Sequence, residues 1–149
     1  MRAICSAAAV IALATSELAA TEQTPDREIA TTVEAFHDAL KKGDATTVMA
    51  LLAPDAQILE GGHTETRAEY QEGHLKADIE FAQAVQSTRE NVMVRQEGSV
   101  AWATSSSRVS GSFRGRDVNS AGAELMVLSR TDDGWRIRAI HWSSHPLKK

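Results

Sequence analysis

The chain has 149 residues, of which 16 are Lys or Arg and 20 are Asp or Glu, so its formal net charge is −4. The basic residues are scattered and the balance is acidic, so the composition offers no electrostatic footprint for nucleic acid. The length suits one domain with a hydrophobic core.

The first twenty residues have the features of an export signal. Arg2 precedes an apolar run over residues 3–15, and small residues surround Ala20. The run is short for a bilayer span and no stop-transfer segment follows, so we expect cleavage of residues 1–20 and no membrane anchor. The protein would then be periplasmic or secreted. Cleavage would remove Cys5, the only cysteine, and with it any thiolate chemistry.

A polar leader, residues 21–28, precedes two predicted helices. The apolar residues of the first helix recur at helical spacing: Ile29, Val33, Phe36 and Leu40. His37 lies beside this stripe and is expected to be exposed. Gly43 stops the first helix, and Asp44 caps a second one that ends before Pro54.

A strand and a third helix follow. "DAQILE" is typical of a strand that ends at Gly61-Gly62. Thr66 and Glu69 have the spacing of a capping box, which predicts a helix from there to about His74. For the stretch that follows, up to residue 88, we expect a turn and then a short strand or an extended arm.

After residue 88 the pattern changes to alternation with period two. Four strands are predicted: "ENVMVRQ", "SVAWATSSSRVSGSF", "AELMVLSRT" and "WRIRAIHWSSH". Gly98 and Gly134 mark turns, and "RGRDVNSAG" is expected to be a longer loop. The serine-rich run "TSSSRVSGS" is interpreted as an exposed sheet face or an interface. The expected fold is α+β over residues 29–147, with three N-terminal helices packed on one face of a curved antiparallel sheet.

Two segments resemble a known superfamily. "VEAFHDALKKGDATTVMALLAPDAQILE" is similar to the opening, and "DDGWRIRAIHWSS" to the closing hairpin, of the nuclear transport factor 2-like superfamily in its SnoaL-like and ketosteroid-isomerase-like branch. The resemblance implies a cone-shaped, cystatin-like α+β barrel with a pocket between helices and sheet. It also implies a homodimer formed through the sheet. Steroid isomerases of this group need a pocket aspartate as base and a tyrosine-containing oxyanion hole. Of those residues only Tyr70 and Asp78 are in the right region, so that activity is not transferred.

The candidate site residues are histidines with polar neighbours. Trp135, Ile137, Ala139 and His141 alternate onto one predicted strand face, which makes His141 either a pocket group or a hydrogen-bonded core histidine. Glu60 and His63 flank the glycine turn, where they either enter the pocket or remain solvated.

Three residues of the third predicted helix form a second candidate group. Arg67, Tyr70 and His74 share one helical stripe, which either lines the site or packs on the sheet.

Two functions follow from these candidates. In the first, Glu60, His63, Tyr70, His74 and His141 bind a small molecule, or the three histidines bind a divalent metal ion, without turnover. In the second, the protein is a cofactor-independent isomerase, cyclase or hydratase. His141 or His74 would then be the general base, with Tyr70 or Arg67 stabilising an oxyanion.

Overall fold

A computed structural model describes residues 25–148. The predicted signal peptide, residues 1–20, lies outside the described residues. Helix α1 spans Pro25–Lys42, so it begins inside the segment predicted to be a polar leader. No helix of the described chain combines the length and apolarity that crossing a membrane requires.

Three helical segments pack on one face of the sheet. The first two are α1 and α2 (Ala45–Leu51). The third comprises α3 (Arg67–Glu69), one π-helical turn (Tyr70–His74) and α4 (Leu75–Ala84). The predicted capping box is present, since the Thr66 hydroxyl accepts from the backbone N–H of Glu69 and the Glu69 carboxylate accepts from the N–H of Thr66. The prediction of a turn after His74 is wrong, because the helix continues through the π turn to Ala84.

The sheet has six strands in the order β2-β1-β6-β5-β4-β3. The strands are β1 (Leu52–Glu60), β2 (His63–Thr66), β3 (Val85–Glu97), β4 (Val100–Phe113), β5 (Arg116–Thr131) and β6 (Gly134–Pro146). The α+β cone is confirmed. The sheet is mixed instead of purely antiparallel, because β1 runs parallel to β6.

Two strand predictions need correction. The short strand β2 was not predicted, and it pairs with β1 across the Gly61-Gly62 turn. The segment expected to be a long loop is a tight turn followed by the start of β5. Arg114 and Gly115 both have positive φ, +49° and +76°. Positive φ at both turn positions is the geometry of a two-residue hairpin, which leaves the flanking residues free to pair as strands.

The hydrophobic core lies between α1, α2 and the concave face of the sheet. The predicted stripe of α1 is buried as expected: Ile29, Val33, Phe36 and Leu40 are between 0% and 6% exposed. On the sheet side the core includes Met126, Leu128, Ile137 and Ile140, each 0% exposed. The core therefore fills one end of the cone.

A β-bulge changes the direction of the side chains along β6. Leu128 pairs with Ile137, and the next residue, Val127, pairs with Ala139, so Arg138 is an extra residue without a partner. An extra residue reverses the alternation for the rest of the strand. After the bulge, Ile140 and Trp142 face inward, and Ala139 and His141 face outward.

A second bulge has the same effect on β3. Glu90 pairs with Ser106 and Met93 with Thr104, so two residues of β3 oppose the single residue Ser105. One of these two, Asn91, has a φ of +53°. Arg89, before the bulge, and Val94, after it, both face inward.

Truncation of the α1 stripe should destabilise the fold. Phe36→Ala removes a fully buried ring and should lower the free energy of unfolding by about 3–5 kcal/mol. Glu34→Ala, an exposed position of the same helix, is the matched control and should change it by less than about 0.5 kcal/mol. Urea denaturation followed by circular dichroism measures both. Equal losses in the two variants would show that burial of this stripe does not stabilise the protein.

Candidate functional site

A cavity of about 420 Å³ occupies the end of the cone that the hydrophobic core leaves open. Helices α1 and α4 form one wall, and the concave faces of β1 and of β3 to β6 form the other. The volume is that of a pocket for a small organic molecule. Part of the sheet wall carries hydroxyl groups. Ser105 and Ser107 of the serine-rich run face into the cavity, so the prediction that this whole run is exposed is wrong.

A carboxylate from the middle of the sheet, Glu124, accepts hydrogen bonds from three sides. The indole N–H of Trp142 donates to Oε2 at 2.7 Å, and the hydroxyl of Ser105 donates to Oε1 at 3.3 Å. Nε2 of His37 lies 2.9 Å from Oε2 and 3.1 Å from Oε1. Ser105, Glu124 and Trp142 are cross-strand neighbours, so the sheet itself aligns two of the three donors.

These donors keep Glu124 ionised. Burial alone raises the pKa of this carboxyl, but the hydrogen bonds from His37 and Trp142 and the charge of Arg89 more than offset it, so its pKa lies below the ordinary value. Both carboxylate oxygens are occupied by donors. Glu124 is therefore a fixed negative charge in the cavity wall.

A second carboxylate, Asp78 of α4, has the opposite environment. The hydroxyl of the fully buried Tyr70 donates a hydrogen bond to its Oδ2 at 2.9 Å. Burial raises the pKa of Asp78 to about 6, although the Tyr70 hydrogen bond and the nearby His74 act in the opposite direction. Burial also raises the pKa of the Tyr70 hydroxyl well above its usual range, so that group remains a donor. Asp78 therefore changes its protonation state near pH 6.

His74 and Glu60 complete this side of the cavity. Nδ1 of His74 is hydrogen-bonded to Oε2 of Glu65 at 3.1 Å. Burial lowers the pKa of His74, but the Glu65 hydrogen bond and the nearby carboxylates outweigh it, so its pKa lies above the ordinary value. Glu60, His74 and Asp78 each offer one ligand atom, and these three atoms lie within 4.8 Å of one another. A bound zinc-like ion would need them about 3–4 Å apart.

The structure brings together only some of the predicted site residues. Glu60 lines the cavity, and Tyr70 and His74 adjoin Asp78. Arg67 does not line it. Its guanidinium Nη2 donates to the backbone carbonyl of Met49 at 2.9 Å and so links α3 to α2.

The predicted cluster of three histidines does not form. Glu60 pairs with both His63 and Trp142, so these three residues share the inner side of the sheet. His63 is nevertheless exposed on the edge strand β2. His141 pairs with Leu59 on the outer side, because the β6 bulge reverses the alternation on which the prediction relied. His63 and His141 therefore lie on opposite faces of the sheet.

Sequence reasoning missed several residues of the cavity. His37 was expected to be exposed, but it is half-buried against Glu124. Trp142 and Arg89 enter the cavity only because of the two bulges, which the alternation pattern does not reveal. Glu124 lies in the strand predicted from "AELMVLSRT". A charged residue between apolar ones was the available signal that this side chain belongs to the site.

The family comparison agrees with this geometry. Residues 29–148 match the SnoaL-like domain family. No curated protein sequence matches the chain significantly.

Several solved structures share the fold. A candidate ketosteroid isomerase from Shewanella frigidimarina is 33% identical, with a TM-score of 0.76, and the match covers 80% of this chain and 97% of that one. A candidate dehydratase of the NTF2-like family from Streptomyces avermitilis is 20% identical, with a TM-score of 0.70 and coverage of 83% and 96%. The S. rosetta CaMKII hub is 16% identical, with a TM-score of 0.72 and coverage of 82% and 98%.

The raised pKa of Asp78 has a consequence for stability. Its folded-state pKa of about 6 lies above the ordinary value of 3.8, so the contribution of this residue is most favourable below pH 4 and is lost as pH rises through 6. Asp78→Asn removes the buried charge. Relative to the native protein, this variant should gain stability between pH 4 and pH 7, by up to about 3 kcal/mol.

Urea denaturation at a series of pH values measures the effect. Glu72→Gln, at an exposed carboxylate of the neighbouring π turn, is the control and should change stability by less than about 0.5 kcal/mol. A pH-independent difference for Asp78→Asn would contradict the raised pKa.

Proposed function

Because this chain belongs to the SnoaL-like domain family, we propose that its cavity binds a small organic molecule and that Asp78 transfers a proton to and from it. The reaction would be of the isomerase or dehydratase kind. The observation that carries the proposal is the position of Asp78, a cavity-lining carboxyl whose pKa is raised to about 6. This favours the catalytic alternative among the sequence-based hypotheses, with an aspartate in place of a histidine as the base.

The chemistry needs a base that is ionised at neutral pH and still basic enough to remove a proton from carbon. A pKa near the working pH provides the best compromise between these two requirements. Ionised Asp78 takes a proton from the carbon next to a carbonyl group, and the electron pair of the C–H bond moves into an enolate. Protonated Asp78 then returns the proton at another carbon, or to a leaving hydroxyl group, which departs as water.

The surrounding residues have distinct roles. Tyr70 is a positioning residue, because its hydroxyl holds Oδ2 of Asp78 and leaves Oδ1 for the substrate. Glu124, which its donors keep ionised, contrasts with Asp78. Two carboxylates with pKa values pushed apart in one cavity are a recurring arrangement in acid–base enzymes. The similarity to a candidate ketosteroid isomerase and a candidate dehydratase supports the same reaction class.

A divalent metal ion is the second candidate occupant. The ligand atoms of Glu60, His74 and Asp78 support this alternative. Glu65 is hydrogen-bonded to Nδ1 of His74, and metal-bound histidines commonly make such a bond to a carboxylate through one ring nitrogen. A metal at this place would use Asp78 as a ligand and would remove it as a free base. A chelator should therefore remove the ion in the metal function, whereas it should not affect proton transfer by Asp78.

Proton exchange in D₂O tests the proposal without knowledge of the natural substrate. The probes are 3-cyclohexen-1-one, acetophenone and phenylpyruvate, and loss of the signal from the proton next to the carbonyl is followed by proton NMR. Exchange should be catalysed by the native protein, with a rate that rises with pH, is half-maximal near pH 6 and levels off at higher pH. Asp78→Asn should slow it by roughly 100- to 10,000-fold.

Two controls accompany this experiment. Glu72→Gln should leave the rate unchanged, and EDTA should have no effect. Exchange that is abolished by EDTA, together with a bound ion in native mass spectrometry, would favour the metal function. Equal rates for native protein and Asp78→Asn would contradict the assignment of the base.

Self-association is the second part of the proposal. The outer face of the sheet carries a row of cross-strand neighbours that includes Met93, Leu125 and Leu59, of which the first two are 48% and 37% exposed. Half-buried Trp102 lies in the next row. A patch of exposed apolar side chains on one sheet face favours a protein interface. We infer that a second copy of the chain covers it, as a homodimer through the sheet.

A charge in the patch should prevent this dimer. Leu125→Glu should convert the protein to a monomer, because an uncompensated carboxylate would be buried in the interface. Gln86→Glu adds the same charge on the exposed outer side of β3 at the far end of the strand and should remain dimeric. Light scattering coupled to size-exclusion chromatography measures both masses. A monomeric native protein, or a dimeric Leu125→Glu, would contradict the interface.

A further inference from the structure

The cavity contains a buried cationic donor for which the described residues provide no acceptor. Arg89 of β3 lines the cavity, and its guanidinium Nη1 is buried without a hydrogen-bond partner among the described residues. A buried guanidinium N–H without an acceptor costs several kcal/mol unless a ligand or solvent supplies one. Several exposed arginines, by contrast, have acidic partners, such as Glu80 for Arg114.

The buried carboxylate of the same wall, Glu124, does not satisfy this donor. Its oxygens already accept from Trp142, Ser105 and His37. Arg89 interacts with Glu124 through its charge, since it contributes to the lowered pKa of that carboxyl, without a hydrogen bond. The free N–H of Arg89 therefore points to a ligand.

The sheet builds a recess around this donor. Arg89, Ser107, Gly122 and Ser144 are consecutive cross-strand neighbours on the inner face, one row beyond Ser105, Glu124 and Trp142. Gly122 makes room for the Ser107 side chain, because a Cβ at this position would lie only 2.7 Å from the Ser107 hydroxyl oxygen. The row thus brings a guanidinium and hydroxyl donors together on the wall of the cavity.

We propose that this recess, here called the Arg89 recess, binds the carboxylate of the substrate. The inference deepens the proposed function and rests on it, because it defines the substrate class as small organic monocarboxylates. The planar guanidinium fork matches a carboxylate, with Ser107 as an additional donor. The rest of the molecule extends past Glu124 and Trp142 towards Asp78 on the opposite wall.

The charges of the cavity favour a carboxylate over a phosphate. Three carboxyl groups, Glu60, Asp78 and Glu124, line the same space as Arg89. One guanidinium can neutralise a ligand with a single negative charge. A phosphate dianion would add a second charge close to these carboxylates, where like charges repel strongly because the surroundings are poorly solvated.

Binding of matched acids and amides tests the proposal directly. The probes are benzoate, phenylacetate and butanoate, each compared with its neutral amide, and inorganic phosphate is included. Isothermal titration calorimetry on the native protein should show that the carboxylates bind at least about 10-fold more tightly than their amides. Arg89→Met should lose roughly 10- to 100-fold in carboxylate affinity and should not distinguish acid from amide.

Two further variants make the result specific. Arg89→Lys keeps the charge without the planar fork and should bind carboxylates with intermediate affinity. Arg95→Met, on the same strand but on its exposed outer side, should bind like the native protein. Unchanged carboxylate affinity in Arg89→Met and Arg89→Lys would overturn the proposal. Amides binding as well as acids, stronger binding of phosphate, or no binding of any carboxylate at millimolar concentration would also overturn it.

The two proposals fail in different ways. Asp78→Asn should retain the preference for carboxylates, because Asp78 lies outside the Arg89 recess. If carboxylates bind through Arg89 but proton exchange does not depend on Asp78, the proposed reaction alone is wrong. If exchange depends on Asp78 but acids and amides bind equally well, the Arg89 recess alone is wrong.

Discussion

Two β-bulges determine which side chains reach the cavity, and the candidate site depends on them. Side chains alternate strictly along a strand, so one extra residue exchanges the two faces for everything that follows. In β6 the unpaired Arg138 turns Trp142 inward and His141 outward. In β3 the extra residue places Arg89 inside the cavity. Without the bulges, Arg89 and Trp142 would belong to the outer surface of the sheet.

The inward-facing residues provide two contrasting environments for acidic groups. On the sheet, regular cross-strand pairing aligns donors around Glu124 and stabilises its charge. On the helical wall, Asp78 receives one hydrogen bond, from Tyr70, and burial dominates its pKa. The sheet therefore holds a carboxylate with a lowered pKa, and the helix holds a carboxyl group with a raised pKa. Keeping Asp78 buried and ionised at neutral pH reduces the stability of the fold, a cost that is common where a site requires a reactive group.

The long strands contribute side chains to the hydrophobic core, to the cavity and to the outer face of the sheet. At one end of the cone their inner faces pack against α1 and form the hydrophobic core, with Met126 and Ile140 fully buried. Further along, the same faces carry serine, glutamate and arginine and form the cavity. Their outer faces carry the exposed side chains of Leu125 and Met93. Because each strand is continuous through core and cavity, the apolar end supports the geometry of the polar end.

The sequence by itself determined the features that depend on neighbouring residues. These are the apolar stripe of α1 from Ile29 to Leu40, the capping box at Thr66, the glycine turns and the α+β class, with the superfamily resemblance added by two longer segments. The tertiary structure alone decided the continuation of the third helix through a π turn, the partner of β1, and the inward direction of Arg89 and Trp142. The physical reason is that caps and periodicity act within a few residues, whereas a bulge is defined by the strand opposite it. A histidine such as His141 can fit the local alternation perfectly and still face the other side, because the pairing partner, and not the pattern, sets the register.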